Sequence, residues 1–482
     1  MAEEKKAAAE EPLKPKPLVE TEPVVTEHQV TCGSKTLKYK VTTGFLPLKD
    51  PYTDEIQGQV FFVAYTLAGN HTPRERPLMF SFNGGPGSSS VWLHLGTVGP
   101  RRAKMLPDGQ LPPPPYELVE NPDTWLEHTD LVFIDPVGTG FSRPAKPEYE
   151  QKYWGIKGDI ESVADFIRLF ISRNGRWSSP LYIVGESYGT TRAAGLSGLL
   201  VDRGIGLAGI VLVSSVLNFQ TLDFTKGNDL PYQLFLPTYA ATAWYHGRIK
   251  ERVELRPFLQ EVQNWASTVY WLALNEGDRL APSMKADVAQ RLADFTGLSK
   301  EFCLHCDLRV VIFEFCKELL RSENRTVGRL DSRIKGIDAR TIGQTADHDP
   351  SMSAIMPPYT MMLNDYIRRE LQFKTDQDYK IFGDVWEKWD WDRKREGFPD
   401  TADALREALA KNPYMRVLIC SGLYDLATPY YATEYTLSHM RLDESVRGNI
   451  EIKEYEAGHM MYIHEDCLGQ LKKDLSEWIS KR

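Results

Sequence analysis

The chain lacks any apolar run long enough to cross a membrane, which takes about 18–20 uninterrupted residues. The closest stretch, Gly204 to Phe219, is shorter, holds two serines and one asparagine, and follows Asp202 and Arg203; it reads as a buried strand. Positive charge is not in excess either: Lys plus Arg is 57 and Asp plus Glu is 66, a formal net charge of −9, so bulk charge gives nucleic-acid binding no support. Cysteine is sparse, with six residues (Cys32, Cys303, Cys306, Cys316, Cys420, Cys467) too scattered for a disulfide framework. Cys303 and Cys306 form a CxxC near Cys316, but no second CxxC or HxxxH pair completes a four-ligand zinc site, so no metal is expected. Reduced thiols in a helix are the expected state, with one local disulfide as the alternative. The N-terminus has no apolar core of the signal-peptide kind, and its Ala, Glu, Lys and Pro content predicts a solvated tail up to about Glu27. The sequence as it stands is expected to be cytoplasmic, or periplasmic or secreted if a signal peptide has been removed.

What is present is an ordinary globular composition, 42% hydrophobic and 26% charged, which excludes disorder as the main state. The 482 residues suffice for about three domain-sized units, or for one large α/β core with an insertion. From residue 28 to 217, apolar runs alternate with helical stretches. Gln59 to Leu67, Leu78 to Phe82, Leu131 to Ile134, Leu181 to Val184 and Gly209 to Val216 read as strands buried on both faces of a largely parallel sheet. Between two of them, Asp159 is placed to cap a helix whose Ile160, Val163, Ala164, Ile167 and Ile171 share one face. Residues 218–411 are rich in aromatics and helix formers and show no such alternation. It resumes with Met415 to Ser421 and Asn449 to Tyr455, and a last helix carries Leu468, Leu471, Leu475, Trp478 and Ile479 at helical spacing. The economical reading is an α/β core (28–217 and 412–482) interrupted by a mostly helical insertion.

Two glycine-rich turns follow strands directly. Gly185-Glu186-Ser187-Tyr188-Gly189 is a GxSxG at a strand–helix junction, where a sharp turn holds the serine exposed. A serine hydroxyl is a weak nucleophile and needs an adjacent base. Asn83-Gly84-Gly85-Pro86-Gly87-Ser88-Ser89-Ser90 allows close backbone approach to a developing oxyanion, which casts the Gly85 and Tyr188 amides as the donor pair. The acid and base must follow in the order Ser, Asp, His. Asp425 ends one late strand and His459 follows the next; His464, at the start of the last helix, is the rival base. Idle glycine turns and a satisfied core histidine are the bland alternatives, and the order of three residue types at strand ends outweighs them.

Together, NGGPGSSS, DPVGTGFS (Asp135 to Ser142), GESYG, SGLYDLATP (Ser421 to Pro429) and AGHMM resemble the serine carboxypeptidase family of the α/β-hydrolases, in that family's order. VGRLDSR (Val327 to Arg333) and LPTYAATAWYHG look like a bacterial-type branch. The resemblance implies an α/β-hydrolase fold with an inserted helical cap over residues 218–411. It implies release of C-terminal amino acids from peptides with a free C-terminus, with Ser187, Asp425 and His459 as the triad, no cofactor, and Asn83 and Glu186 holding the substrate's terminal carboxylate. Neither nucleic acid nor membrane is an expected partner, and the oligomeric state is left open.

Three positions depart from the family's pattern. Phe82 stands where a Trp is usual, and Ser88 stands where many secreted members have a disulfide-forming cysteine, which favours a reducing compartment. Thr97 occupies the place of the glutamate that pairs with the one before the nucleophile. Paired carboxylates share a proton, so Glu186 alone is expected to ionise more readily and repel a carboxylate near neutrality. Arg101, Arg102 or a cap residue would then take over. An esterase or acyltransferase on the same scaffold is the first alternative function, and a non-catalytic binding protein with this fold the second.

Overall fold

A computed structural model describes residues 17–249, 253–392 and 397–481 of the chain. Its centre is a sheet of nine principal strands: β1 (Val24–Cys32), β2 (Lys35–Lys49), β3 (Ile56–Leu67), β4 (Leu78–Phe82), β5 (Asp130–Ile134), β6 (Leu181–Glu186), β7 (Gly209–Val213), β8 (Arg416–Gly422) and β9 (Ile450–Tyr455). They lie in the order β1-β2-β3-β5-β4-β6-β7-β8-β9, with a two-residue strand, Arg143–Pro144, beside β3. The pairings from β5 to β9 are parallel and those among β1, β2, β3 and β5 antiparallel. This is the α/β-hydrolase arrangement.

Alternation along the strands divides the core in two. Tyr65, Met79, Phe133, Val184, Val211 and Leu418 face one layer, which holds Leu468, Leu471, Leu475 and Trp478 of the last helix. Phe62, Phe80, Val132, Ile183, Ile210 and Val417 face the other, packed by helices α1 (Ile156–Arg173) and α2 (Tyr188–Asp202). Both faces are therefore dry, which is why the sequence shows near-continuous apolar runs there.

Between β7 and β8 lie α3 (Leu230–Tyr245), α4 (Leu255–Trp265), α5 (Pro282–Thr296), α6 (Pro350–Asp365), α7 (Ala402–Lys411) and a short hairpin, Arg325–Val327 with Lys335–Ile337. α8 (Glu465–Ser480) closes the fold. Helices α3 to α5 share an apolar cluster of their own, which reaches Leu423, Tyr424 and Leu426 just past β8. Cys303 and Cys316 are buried there as free thiols, each pushed up (Cys303 to about 12) by burial.

Four sequence expectations need correction. The tail does not extend to Glu27, because Val24 to Glu27 already pair with Lys40 to Thr43 of β2. The run from Gly204 to Phe219 is a strand only over Gly209–Val213. Asp159 does not cap α1, whose first residue is Ile156; it is buried and paired with Arg192 of α2 (Nε to Oδ2, 2.7 Å). Helix α7, assigned from sequence to the insertion, packs on α2 through Leu405, Ala408 and Leu409 and is a layer of the core.

Candidate active site

The parallel strands β4, β6, β8 and β9 end at one edge of the sheet, where chain turns converge. Ser187 follows the last residue of β6 and precedes α2. Its backbone is forced to φ 59° and ψ −131°, a conformation a side-chain-bearing residue adopts only when its surroundings enforce it. The enforcement is visible. Ser187 N donates to Val213 O at 3.0 Å, and Thr190 donates to Ser187 O through its amide (2.8 Å) and its hydroxyl (2.7 Å). A Cβ on Gly185 would lie 2.2 Å from Gly189 O, so the two glycines of the motif must cross without side chains. A Cβ on Gly84 would lie 2.4 Å from the Tyr188 amide, which brings the NGGPG turn against the elbow. The Gly85 and Tyr188 amides thus stand on adjoining turns beside Ser187.

The NGGPGSSS turn is braced by the DPVGTGFS motif. Asp135 accepts the Ser90 amide at 2.9 Å, and burial pushes its carboxyl up to about 6. On the outer side, main-chain bonds tie the turn to residues 381–383: Ser89 N to Ile381 O at 2.9 Å and Gly383 N to Gly87 O at 2.7 Å. Ser88 Oγ accepts the Trp92 indole at 2.8 Å.

His459 lies past the end of β9 and shares one cavity with Ser187, Asn83, Gly85 and Glu186. Its Nδ1 is 2.7 Å from Asp425 Oδ2, and Asp425 is fully buried. The other Asp425 oxygen accepts the amides of Ala427 (2.7 Å) and Thr428 (3.0 Å), and the Thr428 hydroxyl donates to Oδ2 at 2.7 Å. Burial pushes the imidazole pKa down, but the charge and hydrogen bond of Asp425, aided by Glu186, outweigh it and leave it above its ordinary value. Ser187 and His459 line this cavity together without a direct hydrogen bond between them among the described residues. His464 caps α8 by position and does not line the cavity.

Asn83 and Glu186 meet: the Asn83 amide donates to Oε1 at 3.0 Å, and the Tyr462 hydroxyl donates to Oε2 at 2.5 Å. Burial here works against the ready ionisation expected of Glu186. Burial pushes its carboxyl up to about 7, against the lowering influence of His459, Tyr462 and Asn83, so a second carboxylate is not needed to keep it protonated. Thr97 itself is buried with its hydroxyl unpaired. The Tyr462 ring packs on neighbouring Gly96, where a Cβ would lie 2.3 Å from it, and its phenol takes the role of partner to Glu186. Arg101 is committed elsewhere, forked onto Glu370 at 2.8 and 3.1 Å, and Arg102 faces Glu465 at 3.6 Å.

Sequence reasoning missed three contributors. Arg192, fully buried, joins Asp159 to the Asn83 carbonyl (2.7 Å) and lies over the Phe82 and Tyr188 rings; its place one turn into α2 carries no motif. Tyr462 lies just past AGHMM. The Arg329 to Ser332 segment packs against the loops of Asp425 and His459, and only its VGRLDSR pattern marked it.

The chain is similar to serine carboxypeptidase-like 5 of Arabidopsis thaliana, 30% identical over 155 residues that make up 32% of this chain and 33% of that relative. It is 28% identical over 202 residues to serine carboxypeptidase-like 12 of the same plant, 41% of each. The match thus spans about a third to two fifths of the length of these relatives. Among solved structures, Kex1(delta)p, a prohormone-processing carboxypeptidase from Saccharomyces cerevisiae, has the same fold, with a TM-score of 0.59 and 16% identity over 91% of each chain. The family model described as serine carboxypeptidase matches residues 33–464, a span that takes in every residue of the cavity, and the chain belongs to that family.

Proposed function

We propose that the protein is a serine carboxypeptidase that releases C-terminal residues from peptides through an acyl-enzyme on Ser187. The observation that carries this reading is the buried Asp425–His459 pair behind a cavity that also holds a strained Ser187. His459 Nε2 takes the proton as Ser187 Oγ attacks the scissile carbonyl. The oxyanion rests on the Gly85 and Tyr188 amides, where loss of one donor typically costs about 100- to 1000-fold in rate. Asp425 fixes the tautomer and stabilises the imidazolium. His459 then protonates the leaving amine, and a water it deprotonates releases the acyl group. Asn83 and neutral Glu186 hold the terminal carboxylate in this scheme, and the insertion roofs the strand ends as a cap. A bacterial-type branch rests on VGRLDSR and LPTYAATAWYHG alone, while the relatives named above are plant proteins.

The absence of a second carboxylate at Thr97 favours a second reading, an esterase or acyltransferase on the same scaffold. One experiment separates the two: hydrolysis of an N-blocked dipeptide acid beside its C-terminal amide and ester from pH 4 to 8, with Ser187→Ala as the blank. Preference for the free acid supports the carboxypeptidase; cleavage of the ester alone rejects it and keeps the nucleophile.

A further inference from the structure

Arg329 lines the same cavity as Ser187, Glu186, Asn83 and His459. Other arginines around the strand ends have carboxylate partners: Arg101 with Glu370, Arg192 with Asp159, Arg333 with Asp331. The Arg329 guanidinium has none among the described residues, and it is half-buried. Its charge opposes protonation of the His459 imidazole. Among the described residues of the cavity wall, it is the one side chain with permanent positive charge.

The backbone beneath it is held on every side. Arg329 N donates to Asp349 Oδ1 at 3.2 Å, and Arg329 O accepts the Leu426 amide, next to Asp425, at 3.0 Å. Leu330 O accepts the His459 amide at 2.6 Å, and Asp331 Oδ2 accepts the Gly458 amide at 3.1 Å. The base of this side chain is therefore fixed relative to both partners of the nucleophile, as a side chain that positions a substrate must be.

We propose that the Arg329 guanidinium receives the α-carboxylate of the substrate's C-terminal residue, and so decides that the enzyme cuts at chain ends. The inference rests on the carboxypeptidase reading and deepens it. A carboxylate entering a cavity walled in good part by Trp92, Met352, Ile355 and Phe382 loses water contacts that Asn83 and a neutral Glu186 replace without charge, and a guanidinium fork adds the compensating charge and two parallel donors. The α-carboxylate is favoured over an acidic side chain because Trp92, Met352, Ile355 and Phe382 give the wall an apolar stretch that suits an uncharged side chain of the leaving residue.

The test uses ester hydrolysis as the reporter and measures inhibition by an N-blocked dipeptide acid ending in Ala, by its C-terminal amide, and by the acid ending in Glu. In wild type the acid is expected to bind better than the amide. Arg329→Gln is expected to lower the acid-over-amide preference by about 10- to 100-fold for the Ala-ended peptide, with Arg329→Lys in between. Equal losses for acid and amide would mean a merely structural role and overturn the proposal. So would a loss confined to the Glu-ended peptide, which would make Arg329 a reader of side chains. If wild type prefers the acid and Arg329→Gln retains that preference, this inference alone fails. If wild type shows no preference, the carboxypeptidase reading falls with it.

Discussion

In the proposed scheme Glu186 is the residue whose protonation decides how the cavity treats an anion. Its surroundings are His459 and Asp425 from the late loops, Asn83 and Tyr462 as hydrogen-bond donors, the Tyr359 phenol, and Arg329 from the insertion. Burial pushes its carboxyl up to about 7, so in this scheme it donates while neutral on the acid side and repels once charged on the alkaline side. Hydrolysis of free-acid peptides should therefore decline as pH rises through about 7. An ester without a carboxylate should show no such alkaline limb; a parallel decline for both substrates would remove Glu186 from carboxylate recognition. The Tyr462 bond favours the charged form of Glu186, so Tyr462→Phe should raise its pKa further and move the alkaline limb of the free-acid profile to higher pH. A limb that stays put or moves down would show that the phenol does not tune this carboxyl. On the acid side, His459 must be neutral to act as a base, so both substrates should lose rate as it protonates, at a pH above its ordinary value.

At the scale of elements, the site depends on α2 as much as on the strands. Arg192 is the only bridge described between Asp159 of α1 and the Asn83 carbonyl that starts the glycine-rich turn. Arg192→Leu would leave a buried carboxylate unpaired, at a cost of about 3–5 kcal/mol, readable as a lower midpoint in urea unfolding. It should also loosen the turn that presents Gly85, so the surviving folded fraction should lose kcat more than KM. Elements whose pattern is set by burial on two faces, such as β4, β5 and β6, were legible in the sequence nearly to the residue. Strands β1 and β2 were not, because they form an antiparallel hairpin at the sheet edge in which polar and apolar residues are mixed, and the pairing rather than the composition makes them strands. Helix α7 was misassigned for a related reason: its apolar stripe says that it packs, not against what. Asp159 showed the same limit, since an acid near a helix start reads as a cap until a distant arginine claims it.

Over the whole molecule, the site is assembled from segments far apart in the chain: Asn83 and Gly85, Ser187, Arg329 and Leu330, Asp425, and His459. The motif residues were readable because strand-end glycine turns and the Ser, Asp, His order are local signals. Tyr462 and Arg192 were not, since their roles exist only through contacts made in three dimensions. The insertion is joined to the site by the bonds from Leu330 and Asp331 to the His459 loop, so it is not a detachable roof. A protein with residues 223–399 replaced by a short linker should fail to label with a fluorophosphonate even where it stays in solution; labelling at the wild-type rate would mean the core holds His459 unaided.

The turn that carries Gly85 is fastened to residues 381–383 by main-chain hydrogen bonds, and all six cysteines are free. Such a fastening uses no sulfur, so every disulfide that the six thiols could form in an unfolded chain would be a wrong one. Recovery of activity after dilution should therefore need no oxidant and be highest in a reducing buffer.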